Sequence, residues 1–367
     1  MGHTSSKLLS RLASRRRHVR PSPSILSEFH ILELPVDIIL YICRNHLPPA
    51  STQALSLTCK SLFALASRQA GLRLTTSDRE EFLLLLEKDI GHNRYYCHTC
   101  RILHCFLHEH SVLQAAPWTL PQNDCRRQNL VYLSGNSVAI SYHHVRLAMN
   151  RHFLGPPNGL PLTRFRLDNA SSTPGPLCWK QTWSARILHD ELFLSATRTL
   201  CIPDVTDEAL RQAVDRVYHR VCNHVSTHKY TNCRVKALQR PGSTDLHCPF
   251  TPCWNIVESC RHCLTDYETT VERRWIKTRG YGEQRGRVKA SWFITVTSYH
   301  RLGGGRSPWD AKWRMFKSGR FTTSLDIPRN MFLYPHGEVR QMWKDAEGQP
   351  DGLTSPSIDA YHVHPKF

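Results

Sequence analysis

No stretch of this 367-residue chain approaches the ~18 consecutive apolar residues of a membrane-spanning helix, and Phe82–Leu86 is far too short to serve. No apolar core of 7–15 residues follows the basic start, which excludes a secretory signal. Acidic residues are few, 30 against 48 basic ones, and the first 24 positions hold none. Catalytic signatures are missing too. There is no G-x-S-x-G elbow, no H-E-x-x-H and no G-x-x-x-x-G-K-[ST] loop. No internal repeat is found, so solenoids and propellers are excluded.

What is present suits a folded chain of one large or two ordinary domains: 40% hydrophobic and 21% charged residues. The net charge of +18, carried by 36 Arg and 12 Lys, favours anionic partners. Fourteen Cys and 22 His also stand out. Without an export signal a disulfide framework is not expected, and clustered Cys and His point to metal.

Residues 1–30 read as a disordered basic arm, with Lys7, Arg11, Arg15, Arg16, Arg17 and Arg20. Two other readings compete there. An Arg- and Ser-rich start resembles a transit peptide, and Gly2 with Ser6 fits an N-acylation pattern that would bring the chain to membranes.

Residues 31–70 form the first strongly patterned block. Pro35 suits a helix start, and Leu34, Ile38, Ile39 and Ile42 fall on one helical stripe. Leu47-Pro48-Pro49 breaks that helix and Ser51 is placed to cap the next, whose stripe runs Leu55, Cys59, Leu62, Ala66. Helices this short, apolar on more than one side, cannot cover their own surface.

The string LPVDIILYICRNHLPPASTQALSLTCKSLFALA resembles an F-box, with Leu34, Pro35, Ile38, Ile39, Ile42, Leu55, Cys59, Lys60 and Leu62 at the shared positions. The resemblance implies a small helical module that docks on a Skp-type adaptor and recruits a cullin–RING ubiquitin ligase. The alternative is a helical hairpin of the main core. Further blocks, among them FLLLLEKDIGHNRYYCHTCRILH, WSARILHDELFLSATRTL and SCRHCLTDYE, resemble a fungal group of F-box-containing proteins. That likeness implies an architecture rather than a substrate or a chemistry.

Downstream the pattern is mixed. Ser77-Asp78-Arg79-Glu80 reads as a capping box for a helix turning Phe82, Leu83, Leu86 and Ile90 inward. Thr206 opens another helix, with Leu210, Val214, Val217 and Val221 on one face. Strands are expected at Leu130–Leu133, Val138–Tyr142, Arg186–Ala196, Tyr267–Ile276 and Ser291–Tyr299, the last two joined by a mobile loop at 280–286. From Lys344 the chain reads as a flexible tail, 344–367.

Two Cys/His clusters carry the chemistry. In the first, Cys97 and Cys100 form a C-x2-C knuckle and His104 is the obvious third ligand. The likeness to the fungal group implies Cys125 as the fourth, with Cys105, His108 and His110 as rivals. The second has Cys260 and Cys263, with companions among Cys222, His224, His228, Cys233, Cys248 and Cys253; Cys222 and His224, beyond the helix from Thr206, are the chosen pair. Buried thiols without metal are the competing reading. Both sets would be closed, structural zinc sites with no open position for catalysis.

Gly303-Gly304-Gly305-Arg306 reads as a tight loop, and Asp190-Glu191 as a turn edge or salt bridge rather than an acid pair. Nucleic-acid binding is the rival class, on Arg273-Arg274-Trp275-Ile276-Lys277. The expectation is therefore an α+β protein: a helical F-box at 31–70, then one zinc-stabilised mixed domain with antiparallel strands over 77–340. Its expected role is non-catalytic recruitment of an unknown protein substrate to a ubiquitin ligase, in the cytoplasm or nucleus.

Overall fold

The computed structural model describes residues 31–67, 74–106, 125, 130–133, 139–171, 178–203, 206–216, 219–227, 235, 238, 251–278, 287–317 and 334–348. The basic arm, the acylation pattern at Gly2, the 280–286 loop and the chain beyond 348 lie outside these residues. The chain divides into two compact units at Phe82/Leu83.

The first unit holds α1 (Val36–Asn45), α2 (Pro49–Ser56) and α3 (Lys60–Ser67). Pro35 is the N-cap of α1, and Pro49 opens α2 behind Pro48, because a proline at a helix start sacrifices no internal hydrogen bond. Ser51 therefore lies inside α2 and does not cap it. The stripe Leu55–Ala66 is likewise not one helix. The chain turns at Leu57–Cys59, and the Leu62 amide donates to Cys59 Sγ at 3.5 Å to begin α3. Ile39, Ala50 and Leu62 are buried, and they form a core around which Cys43, Leu55 and Leu65 are half-buried.

Helix α4 (Thr76–Ile90) has its capping box two residues before the expected one. Thr75 caps it: the Asp78 amide donates to Thr75 Oγ1 at 3.1 Å, and the Thr75 amide donates to Asp78 Oδ2 at 3.0 Å.

In the second unit the inward residue of α4 is a glutamate. Glu87 is 2% exposed, while Leu83, Leu86 and Ile90, expected inward, are half-buried. Its carboxylate accepts from Asn150 Nδ2 (2.8 Å), Arg146 Nε (3.0 Å) and the Tyr96 amide (3.0 Å), so a buried charge is fully partnered. Arg146 and Asn150 belong to α5 (Tyr142–Leu154), where the Ser141 amide donates to His144 Nδ1 in a cap that uses imidazole in place of glutamate.

Six antiparallel strands make the main sheet, in the order β5-β6-β7-β10-β9-β8: β5 (Leu167–Ser171), β6 (Cys178–Leu188), β7 (Glu191–Pro203), β8 (Cys253–Ser259), β9 (Thr265–Thr278) and β10 (Arg287–Gly303). It is two three-stranded meanders joined through their last strands. The single strand expected at Arg186–Ala196 is a hairpin, turning at His189 and Asp190 with φ of 50° and 58°. Period-two alternation gives the sheet two unlike faces. Leu194, Ala196, Ile294 and Val296 point into the core; Thr197, Thr199, Thr295 and Thr297 form a hydroxyl-bearing face, half-buried, with oxygens paired across strands at 3.0–3.1 Å.

The strands expected near Leu130 and Val138 form a two-stranded ladder, β3 (Leu130–Tyr132) with β4 (Ala139–Ser141). Helix α6 (Asp207–Arg216) follows Thr206 and buries Leu210 and Val214; Val221 is buried too, but beyond the helix. Besides α5, two helices were not anticipated: α7 (Ala311–Lys317) and α8 (Glu338–Asp345). Trp343 is 2% exposed and a 3-10 turn continues to Gly348, so the chain from Lys344 to Gly348 is structured rather than tail.

Candidate metal centres

The first centre grows from a hairpin of β1 (Arg94–Cys97) and β2 (Ile102–Cys105). The Arg101 amide donates to the Cys97 carbonyl at 2.7 Å with Arg101 at φ 55°, and the Cys100 amide reaches Cys97 Sγ at 3.5 Å. This tight turn aims both thiols to one side. His104 on β2 pairs with Tyr95, whose ring stacks on it at 5.8 Å. Cys125 arrives from a separate segment, its Sγ 3.8 Å from His104 Nε2.

The second centre joins two turns. Cys260–Cys263 connects β8 to β9, held by the Cys260 amide on the Thr265 carbonyl and the Thr265 amide on the Cys263 carbonyl, both 2.8 Å. The His262 amide points at Cys260 Sγ (3.4 Å), as the His224 amide points at Cys222 Sγ (3.4 Å). Beyond α6 a short loop closed by an Arg220–Ser226 bridge delivers Cys222 and His224.

The structure brings together Cys97, Cys100, His104 and Cys125 in one group, and Cys222, His224, Cys260 and Cys263 in the other. Within each, the four ligand atoms lie within 4.8 Å of one another. A tetrahedron with Zn–S bonds of ~2.3 Å places its donors about 3.7 Å apart, so both groups are compatible with a structural metal ion. Of the rivals, Cys105 is exposed at the end of β2 and Cys253 sits on β8, both outside the groups. His108, His110, His228, Cys233 and Cys248 lie outside the described residues.

Electrostatics favours a cation in both places. Burial, then the neighbouring Cys97 and Cys100 thiols, push the Cys125 thiol up to about 12. Burial and adjacent thiols likewise raise Cys222 and Cys263. At Cys260 burial acts upward, but hydrogen bonds from Cys222, Cys263 and His224 win and hold that thiol well below its ordinary value. Clustered thiols cannot all ionise by themselves, and a divalent ion removes that conflict. With three thiolates and one imidazole each, either group would fill all four positions around a tetrahedral ion.

An outer layer of the second centre escaped sequence reasoning. Thr265 Oγ1 lies 3.2 Å from Cys263 Sγ and 3.0 Å from His300 Nδ1, and His300 Nε2 lies 3.0 Å from Ser298 Oγ. His300 stands opposite Thr265 through strand register, which spacing along the chain does not reveal. Burial lowers its pKa to about 3, so it is neutral.

The remaining singled-out residues have structural partners. Glu191 pairs with Lys312 and with Arg301 (2.5 Å), and Asp190 is a turn residue bonded to His152 (2.8 Å). Gly305, at φ 62°, lets its loop approach α5: an added Cβ would meet Met149 Cγ at 3.1 Å. The nine F-box positions divide. Ile39 and Leu62 are buried in the helical unit and are not surface contacts; Leu34, Ile42, Leu55 and Cys59 are half-buried; Pro35, Ile38 and Lys60 are exposed. No described helix is long and apolar enough to cross a membrane. Comparison with protein families, curated proteins and solved structures finds no match to this chain.

Proposed function

We propose that the chain is the substrate-recruiting F-box subunit of a cullin–RING ubiquitin ligase, binding a Skp-type adaptor through its helical unit. One observation carries this reading: Val36, Ile38, Tyr41, Leu57 and Phe63 are each 46–57% exposed, crowded onto three short helices and the turn between the last two. Scattered exposed apolar residues are ordinary, but this density on a unit of about forty residues is what a protein-binding surface supplies. In this reading Leu34, Pro35 and Ile38 meet the adaptor, while Ile39 and Leu62 keep the helices together. The second unit is the receptor for a protein substrate, and each Cys3His group holds one structural zinc ion, the metal this donor set suits best.

Nucleic-acid binding finds less support. Arg274 is engaged by Glu272 and lies 5.1 Å from the Phe293 ring, and Arg273 sits 5.9 Å from the Trp292 ring, although Trp275 is 61% exposed. The test is co-expression with a fungal Skp-type adaptor followed by pull-down. Wild type is expected to bind, and Leu34→Ala with Ile38→Ala to lose about ten- to a hundredfold. Failure of the wild-type chain to bind any such adaptor removes the ligase assignment.

A further inference from the structure

The hydroxyl-bearing face of the main sheet has no counterpart in the sequence patterns above. A cavity of about 230 Å³ lies on it, beside α8. Register lines up Thr182, Thr197 and Thr297 across β6, β7 and β10, with Ser184, Ser195 and Tyr299 in the next row. All six line the cavity, and Glu268 on β9 extends the first row. Trp343 supplies an aromatic wall, its backbone carbonyl accepting from Arg186 Nη1 at 3.2 Å while the guanidinium lies 4.7 Å from its ring.

Most of the charges around this space are already matched. Glu268 accepts from Tyr299 Oη and Arg340 Nε, both at 2.7 Å; Lys344 Nζ lies 3.3 Å from Glu347; Arg166 pairs with Asp168 at 2.8 Å. A phosphate or carboxylate would face Glu268 and Glu347, and among the described lining residues the one cation without a carboxylate partner is Arg186, already held by the Trp343 carbonyl and ring. An apolar ligand would strand the hydroxyls. Hydroxyl groups both donate and accept, so they complement other hydroxyls, and an aromatic wall accepts the apolar side of a compact ring.

We propose that this cavity binds a small neutral polyhydroxylated molecule of about one sugar ring, free or carried as a glycosyl group on a polypeptide. The proposal is independent of adaptor binding and needs only the folded second unit.

The whole metal-loaded chain is titrated with glucose, mannose, galactose and N-acetylglucosamine, read by tryptophan fluorescence and saturation-transfer NMR. Two further arms use a glycopeptide beside its sugar-free twin, and inorganic phosphate. Saturable millimolar or tighter binding of a sugar or the glycopeptide is expected; a preference for the glycopeptide assigns the carried source, equal binding the free one. Thr197→Val and Ser195→Ala should each weaken binding about fivefold, the value of one hydrogen bond, at an unchanged unfolding temperature. Should one variant unfold, the other decides. The site is overturned by silence in every sugar arm, by binding indifferent to both variants, or by phosphate binding more tightly than any sugar.

Discussion

The two Cys/His centres share a ligand set and differ in their surroundings. In the second, Cys222, Cys260 and Cys263 are at most 1% exposed, and the group spans from the loop beyond α6 to the first turn of the second meander. In the first, Cys100 is exposed and Cys125 half-buried, and the knuckle sits on a two-stranded hairpin outside the main sheet. Equal chemistry thus carries unequal mechanical weight. An ion in the second centre would fasten the core, whereas one in the first would shape an appendage. Burial also shields the second centre from competing ligands and acid, while the first meets solvent directly.

The sharpest way to break this contrast is Cys260→Ser. It should release about one of two zinc equivalents and abolish cooperative unfolding of the second unit, because structural zinc contributes folding free energy directly, on the order of 10 kcal/mol apparent. Metal analysis with calorimetry reads both, and a variant that melts like wild type ends the idea that this ion fastens the core.

Next in size is Glu87→Ala, which leaves Arg146 buried without its carboxylate and should cost about 3–5 kcal/mol. Since Glu87 also holds the Tyr96 amide, chelator release should quicken at the first centre and not at the second. Uniform acceleration at both would dissolve the distinction.

Cys100→Ser should be milder. One zinc equivalent goes, the unfolding temperature falls by only a few degrees, and the six-stranded sheet keeps its circular-dichroism signal. Collapse of the sheet would show that the two centres carry equal weight.

The last effect, nil at neutral pH, concerns acid. His300 has a lowered pKa, so it contributes stability that is present above its unfolded value near 6.5 and lost as pH falls toward about 3. By pH 4.5 the loss is roughly 3 kcal/mol, and His300→Gln should flatten the stability profile between those limits. An unchanged slope in urea titrations would mean that His300 is not protected as its burial implies.

What the sequence revealed followed the strength of local signals. The Leu34–Ile42 stripe and the proline break yielded α1 and α2, and C-x2-C spacing exposed both knuckles. Strand β10 was visible because Trp292, Ile294 and Val296 alternate with Phe293, Thr295 and Thr297. The β6–β7 hairpin stayed hidden: its turn uses His189 and Asp190 at positive φ, positions where Asn-Gly or Asp-Gly normally gives the signal. Helix α5 was obscured for a related reason, since its cap partner is His144 rather than an acid. Glu87 misled by its chemistry. A pattern search turns carboxylates outward, and nothing near it announces Arg146, 59 positions away.

The joined meanders also set an order of events during synthesis. Strands β5–β7 can pair as soon as they leave the ribosome, and Cys222 with His224 emerges soon afterwards. Their partners Cys260 and Cys263 follow about forty residues later, some 2–8 s at ordinary elongation rates. For that interval half a metal site waits beside an unpaired β7 edge, exposed to premature oxidation and to the wrong strand. The last long strand to appear, β10, closes that edge, so a newborn chain remains vulnerable until Gly303 has emerged.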